Sequence, residues 1–257
     1  MHDSSVSILS SGSSGNSMLV MSEGRGVLID AGLSCRELER RMSLFGVGPS
    51  QIEAVVLTHE HTDHVRGARR FSAAYDVPVY GTKGTLALSD LDGTRTVTFA
   101  HSKAFSIGQI NLRPFKVRHL AADPVAFTVA LGSKKVGIAS DLGCVTATVV
   151  DEMADADMLF IEANYDEEML LSGSYPEFLK RAIKGDHGHL SNDDAGKLSS
   201  KTATSRTQKV VLLHLSMENN TPEKARNAVE RSLKSSGINV SVLAAEHGIS
   251  NGPFVLS

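Results

Sequence analysis

The chain has 257 residues, of which 41% are hydrophobic and 21% charged, a balance typical of folded globular domains and far from disordered or fibrous chains. Its net charge of -3 and pI near 6.4 exclude a global basic field, so any contact with a polyanion has to be local. Two cysteines, Cys35 and Cys144, are too few for a disulfide framework and fit a reducing compartment.

Residues 5–10 and 17–21 read as strands flanking SGSSGN, whose Gly12, Gly15 and Asn16 suit a turn. GVLID (26–30) is a third strand, followed by a helix over 34–45; AVVLTH (54–59) leads into a helix over 65–75. PVYG (78–81) precedes a helix over 82–90, and FKVRH (115–119), FTVAL (127–131) and KVGIASD (135–141) are further strands. A helix over 145–154, the strand MLFIE (158–162), helices over 175–184 and 192–203, and the strand KVVLLH (209–214) come next. The last helix, 221–235, opens on Thr221-Pro222-Glu223, a capping hydroxyl followed by proline and an acid. No linker or low-complexity stretch divides the chain, so one domain over 1–257 is expected. The opening MHDSSVSILSSGSSGNS lacks the features of a signal peptide, and no run approaches the roughly 18 apolar residues of a membrane span. A cytoplasmic protein without a membrane partner is expected.

Six apolar runs end on a side chain able to bind metal or carry a proton: Asp30, His59, His119, Asp141, Glu162 and His214. Strand ends on one sheet edge converge, so these endings predict one crowded polar site. The densest cluster is His59-Glu60-His61-Thr62-Asp63-His64. Residues two apart in extended backbone point the same way, so His59 and His61 can grip one ion. The turn into the helix swings Asp63 and His64 toward a neighbouring position. Imidazole and carboxylate donors favour zinc, with manganese or iron as options, and a carboxylate such as Asp141 can bridge two ions. A lone strand-end histidine such as His119 or His214 is ordinarily a packed or surface residue; the neighbouring motif makes both of them candidates. Cys144, three residues after Asp141, reads as a buried neutral thiol.

THEHTDH (58–64) resembles the signature motif of the metallo-β-lactamase superfamily. Asp30 in LIDAG, His119, Asp141 in ASDLG and His214 in LLHLS match its other motifs, so the resemblance spans nearly the whole chain. It implies an α/β fold, a four-layer αββα sandwich of two mixed sheets packed face to face with helices outside. It also implies two divalent ions, zinc or manganese: one held by His59, His61, His119 and Asp141, the other by Asp63, His64, Asp141 and His214, with Asp30 orienting ligands from behind. The segments SILSSGSSGNS, EANYD (162–166), GHLSN (188–192) and HLSMENN (214–220) resemble the WalJ (YycJ) branch, which is associated with nuclease activity on DNA. GHLS is also similar to the segment of ribonuclease Z and of the carbon–phosphorus lyase phosphodiesterase that carries a proton-donating histidine, here His189. Two departures stand out: Leu120 follows His119 where the branch has an aspartate, moving that carboxylate to Asp123 or removing it, and Tyr165 replaces a histidine.

The expected activity is two-metal phosphodiester hydrolysis by a metal-bridging hydroxide, carried out as a 5′-to-3′ exonuclease on DNA, with His189 and Asp63 as catalytic residues. Ser13, Ser14, Asn16 and Asn192 are candidate substrate contacts, the first three in a loop able to offer backbone N–H groups to a phosphate. Arg66, Arg69 and Arg70 follow the metal motif and suit either a phosphate backbone or an ordinary solvated helix face. A small-molecule phosphodiesterase or thioester hydrolase on the same scaffold is the alternative enzyme, and a non-catalytic, metal-stabilised binding module the alternative of another class.

Overall fold

The computed structural model describes residues 4–256. The first sheet is built from β1 (Ser5–Ser10), β2 (Ser17–Ser22), β3 (Arg25–Ile29), β4 (Ile52–Val56), β5 (Val79–Gly81) and β6 (Thr96–Thr98). The second takes β7 (Phe105–Ile107), β8 (Ile110–Lys116), β9 (Val125–Leu131), β10 (Lys134–Ala139), β11 (Met158–Glu162), β12 (Lys209–Leu213) and β13 (Ser241–Ala244), after which β14 (Asn251–Val255) crosses back to the first. The strand orders are β14-β1-β2-β3-β4-β5-β6 and β13-β12-β11-β10-β9-β8-β7. Pairing is antiparallel from β14 to β3 and parallel from β3 to β6. In the second sheet it is antiparallel from β7 to β10 and parallel from β10 to β13. The helices are α1 (Cys35–Ser43), α2 (Thr62–Val65), α3 (Ala68–Tyr75), α4 (Lys83–Leu88), α5 (Ala147–Met153), α6 (Glu167–Ser172), α7 (Glu177–Lys184), α8 (Asn192–Thr202) and α9 (Pro222–Ser235).

Both faces of the central strands are apolar because each sheet is covered twice. Along β11, Met158 and Phe160 point into the core between the sheets with Ile8, Val20 and Phe127. Leu159 and Ile161 point outward to Val149, Leu198 and Val229 of α5, α8 and α9. On the far side of the first sheet, Leu28 and Val55 meet Leu38 and Met42 of α1 and Phe71 of α3. The result is the expected αββα sandwich with two mixed sheets.

Several elements differ from the sequence expectation. FKVRH is not a strand to its end: β8 stops at Lys116, and Val117–His119 turn into the loop that feeds β9, with Val117 N–H bonded to Pro124 O at 3.3 Å. The short edge strands β6, β7, β13 and β14 carry little apolar alternation, and β14 contains Gly252 and Pro253, residues that weaken a strand assignment yet are tolerated at a sheet edge. The six-residue α6, capped by Asp166 through Met169 N–H, is too short for an apolar period. Among the described residues, no helix is long and apolar enough to cross a membrane.

Candidate metal centre

The strand ends converge. Asp30 follows β3, Asp141 follows β10 by two residues and His214 follows β12; all three hold left-handed backbone, with φ of +61°, +53° and +56°. This turn at each strand terminus is sparsely used by residues other than glycine and recurs at functional sites. The motif turn is clamped by the Asp30-Ala31-Gly32 segment and by the loop between β1 and β2: Ala31 N–H donates to His64 O and Asn16 N–H to Asp63 O, each at 2.7 Å. A Cβ on Gly32 would lie 1.6 Å from Asp63 O, so only glycine lets the two backbones approach this closely.

Each of five imidazoles is anchored through one ring nitrogen by an oxygen acceptor. His64 donates Nδ1–H to Asp30 Oδ2 at 2.7 Å, and His59 meets Thr58 Oγ1 through Nδ1 at 2.9 Å while that hydroxyl donates to Asp30 Oδ2 at 2.8 Å. His61 Nε2–H donates to Leu120 O and His119 Nδ1–H to Gly188 O, both at 3.0 Å. His214 Nδ1–H reaches Glu162 Oε1 at 3.0 Å. These partners fix the tautomers. The remaining nitrogen of each ring therefore faces the common centre.

There the donor atoms gather into groups whose members lie within 4.8 Å of one another: His59, His61 and His119; Asp63, His64 and His214; and, between them, His59, His64 and Asp141. His119 Nε2 and His214 Nε2 both stand 3.8 Å from Asp141 Oδ1, and His64 Nε2 lies 3.1 Å from Asp141 Oδ2. His59 Nε2, His214 Nε2 and Asp141 Oδ2 are buried with no hydrogen-bond partner. Orphaned buried donors and acceptors are costly unless something satisfies them. Converging imidazole nitrogens around a buried carboxylate suit a divalent cation in charge, softness and number. The residues present fit the metal that the sequence implies.

The electrostatics point the same way. Burial disfavours the Asp141 carboxylate, yet His214 and His64 outweigh that and hold it well below the usual carboxylate range. Burial opposes protonation of His64 and His214, but Asp141, with Asp30 for the one and Asp63 and Glu162 for the other, raises both, His214 to about 10. His59, buried and facing His64, is pushed well below its ordinary value. Like-charged imidazoles crowded around two carboxylates are what a site evolved for a cation looks like when protons compete for its ligands.

Glu162 is the residue whose role the sequence reading left unassigned. Fully buried at the end of β11, it accepts His189 Nδ1–H at 2.7 Å and His214 Nδ1–H through Oε1, and Leu142 N–H at 2.6 Å and Leu190 N–H at 3.2 Å through Oε2. Both oxygens thus accept N–H groups and orient two imidazoles, and the carboxylate also stands in a potential donor group with Asp141, His189 and His214. It was visible as a strand-end acid, but nothing in the sequence revealed which histidines it meets. Thr58 and Asn164, which donates to His214 O at 2.8 Å, were equally unmarked.

His189 comes into the cluster with its side chain 24% exposed and Nδ1 held by Glu162. Burial lowers its proton affinity, but the Glu162 carboxylate outweighs this and raises its pKa. Asn16 is buried, its Nδ2 lying 3.0 Å from both Asp63 Oδ2 and His64 Nε2, whereas Ser13 and Ser14 are exposed at the rim. Asn192 requires a correction: it is 3% exposed and exchanges side-chain hydrogen bonds with Asn220 at 2.9 and 2.8 Å, a pair inside the scaffold at the start of α8 and not a substrate contact. The Leu120 departure is harmless to the ligands, because carbonyls of Leu120 and Gly188 anchor His61 and His119. Asp123 instead lies 4.0 Å from Lys116 Nζ. Tyr165 is buried, with its carbonyl accepting Asn192 N–H at 2.9 Å. Cys144 is half-buried, not buried; burial raises its pKa, keeping the thiol neutral.

Residues 25–215 match the model of the β-lactamase superfamily domain. The chain is 33% identical to the exodeoxyribonuclease YycJ of Bacillus anthracis, covering 91% of this chain and 90% of that protein. It is 34% identical to the exodeoxyribonuclease WalJ of Streptococcus pneumoniae, covering 92% and 90%. Among solved structures it is similar to the metallo-β-lactamase fold protein YhfI from Bacillus subtilis, with a TM-score of 0.72 at 19% identity over 97% of this chain and 99% of that one.

Proposed function

The chain belongs to the metallo-β-lactamase superfamily, and from that premise we propose that it is a two-metal phosphodiester hydrolase that degrades DNA from a 5′ end. That it is a metal-dependent hydrolase follows from the family and from the residues present; the nucleic-acid substrate is suggested by the names of its relatives. The observation that carries the reading is the set of five imidazoles, each anchored through one nitrogen, whose donor atoms gather into adjoining groups with Asp63 and Asp141.

His59, His61, His119 and Asp141 would hold one ion, and Asp63, His64, Asp141 and His214 the other. Two such ions, zinc or manganese, would supply an acidified water at neutral pH and neutralise phosphoryl oxygens. Asp30, Thr58 and Glu162 accept a hydrogen bond from the opposite nitrogen, so the nitrogen facing the centre is the one a metal would take in place of a proton. His189, held by Glu162 through Nδ1, keeps a proton on Nε2 and delivers it to the departing oxygen of the nucleotide. Asp63 contributes to catalysis as a ligand at the open side, and Ser13 and Ser14, with Asn16 beneath them, form the rim nearest to an incoming phosphate. One domain over 1–257 and a cytoplasmic setting, in keeping with the unpaired Cys35 and Cys144, belong to the same reading.

Incubating the manganese- or zinc-loaded protein with 5′- and 3′-labelled duplex DNA, single-stranded DNA and RNA, beside a His64→Ala control, tests it. Release of short products from the 5′ end, lost in the control, is expected. A protein that shortens no labelled DNA but hydrolyses bis(p-nitrophenyl) phosphate is instead a small-molecule phosphodiesterase.

A further inference from the structure

Beside the metal centre, α2 and α3 border a groove of about 630 Å³ that starts at Glu60 and Thr62 of the metal motif and runs past Arg66, Arg69 and Arg70 toward Leu88 and Asp90. The three arginines, one at the end of α2 and two on α3, line the same groove and are exposed. Their charges are poorly balanced. Arg66 touches only a carbonyl, Ser14 O, at 3.1 Å. Arg70 has no hydrogen bond or ion pair among the described residues. Arg69 alone meets a carboxylate, Asp90, at 3.0 Å, and the Asp90 side chain is 78% exposed. Of the two acids lining the groove, Glu60 is turned away to accept Ala122 N–H at 2.7 Å.

The groove on the other flank of the centre differs. Its Arg118 is paired with Asp186 at 3.1 Å and its Lys116 lies 4.0 Å from Asp123. Arg66 and Arg70, two guanidinium groups without a carboxylate partner, therefore line the groove that starts at the metal motif, where a polymer leaving the metal centre would pass. Guanidinium is the group best matched to phosphate, because its planar fork binds two oxygens at once. Leu88, 67% exposed on the groove wall, supplies an apolar surface for sugar or base.

We infer that this groove binds the phosphodiester backbone of the DNA strand being degraded, with Arg66 and Arg70 as its phosphate contacts and Asp90 as a brake that occupies Arg69. The inference rests on the exonuclease reading above and goes beyond it by separating polymer binding from hydrolysis. It explains how an acidic protein would select a polymer over a small diester.

The test compares kcat/KM on a 5′-labelled single-stranded DNA with kcat/KM on bis(p-nitrophenyl) phosphate, from about 50 to 200 mM salt. The variants are Arg66→Ala/Arg70→Ala, Asp90→Asn and, as a control remote from the groove, Arg226→Ala on α9. For the double variant the DNA-to-diester ratio should fall tenfold or more, and the log–log salt slope should flatten by about 1.4, two contacts at roughly 0.7 each on a single strand. Asp90→Asn should raise kcat/KM on DNA a few-fold, and Arg226→Ala should change neither substrate. An unchanged ratio, or an unchanged salt slope, overturns the groove. If the wild-type protein hydrolyses the diester but no DNA, the exonuclease reading fails by itself. Fluorescence anisotropy with the same oligonucleotide then judges the groove: salt-sensitive binding that the double variant loses supports it, and equal binding by both proteins overturns it.

Discussion

Replacing Glu162 with glutamine keeps the size of a buried side chain and changes which of its atoms can accept. In the native protein all four of its contacts are donors: the backbone N–H groups of Leu142 and Leu190 on Oε2, and the Nδ1–H groups of His189 and His214 on Oε1. A backbone N–H cannot become an acceptor, so the amide oxygen has to face Leu142 and Leu190 and the NH₂ has to face the imidazoles. His214 then accepts at Nδ1 and carries its proton on Nε2, the nitrogen that stands 3.8 Å from both Asp63 and Asp141 and would bind the metal. Loss of an outer partner of this kind costs roughly 10- to 100-fold in metal affinity, or about 1.4–2.7 kcal/mol. Competition of Glu162→Gln and wild-type protein against a chromophoric zinc chelator would measure it, with thermal melting in excess chelator as the control for folding. A folded Glu162→Gln protein that binds zinc as tightly as wild type would refute the argument that this carboxylate sets the His214 tautomer.

Two further outcomes follow from the same cluster. His189→Ala should lower kcat on DNA by roughly 10²–10⁴-fold, the usual worth of a general acid, with a much smaller loss on bis(p-nitrophenyl) phosphate, whose leaving group departs without a proton; equal losses would assign His189 another role. Because His64 and His214 are raised above their ordinary values in the metal-free protein, the latter to about 10, their ionisation stabilises the fold fully below about pH 6.5, the unfolded value, and that stability is lost as pH climbs through the folded value. The metal-free melting temperature should thus fall between about pH 6.5 and 10. Metal binding should release protons, measurable by calorimetry in buffers of different ionisation enthalpy, and tighten with pH over the same window. A heat that does not depend on the buffer would contradict it.

The sandwich and its metal edge were legible because the same physics wrote both. Strands buried on two faces appear as continuous Val, Ile and Leu runs such as GVLI and MLFI, and their terminal Asp30, Glu162 and His214 had nowhere to point but the sheet edge. What stayed hidden depends on contacts between distant segments. Thr58 looks like any threonine until it is seen between Asp30 and His59, and the pairing of Asn192 with Asn220 is invisible in a GHLSN string that invites a substrate role. Edge strands such as β6 and β14 escaped for a different reason: with one open flank they need little alternation, and a Pro253 that would break a central strand sits comfortably there.

The left-handed turns at Asp30, Asp141 and His214 set a limit on engineering the molecule. Each non-glycine residue in that region gives up about 1 kcal/mol or more, a sizeable fraction of the roughly 5–15 kcal/mol that holds a domain folded. A search that ranks substitutions by backbone ease would therefore recommend glycine at all three positions. Such a protein would lose Asp141 and His214 from the donor cluster and the carboxylate behind His64, together with the buried hydrogen bonds that Asp30 makes to Thr58 and His64. Any programme that hardens this scaffold should hold those three positions fixed and seek its gains in the helix layers, where no donor atom is at stake.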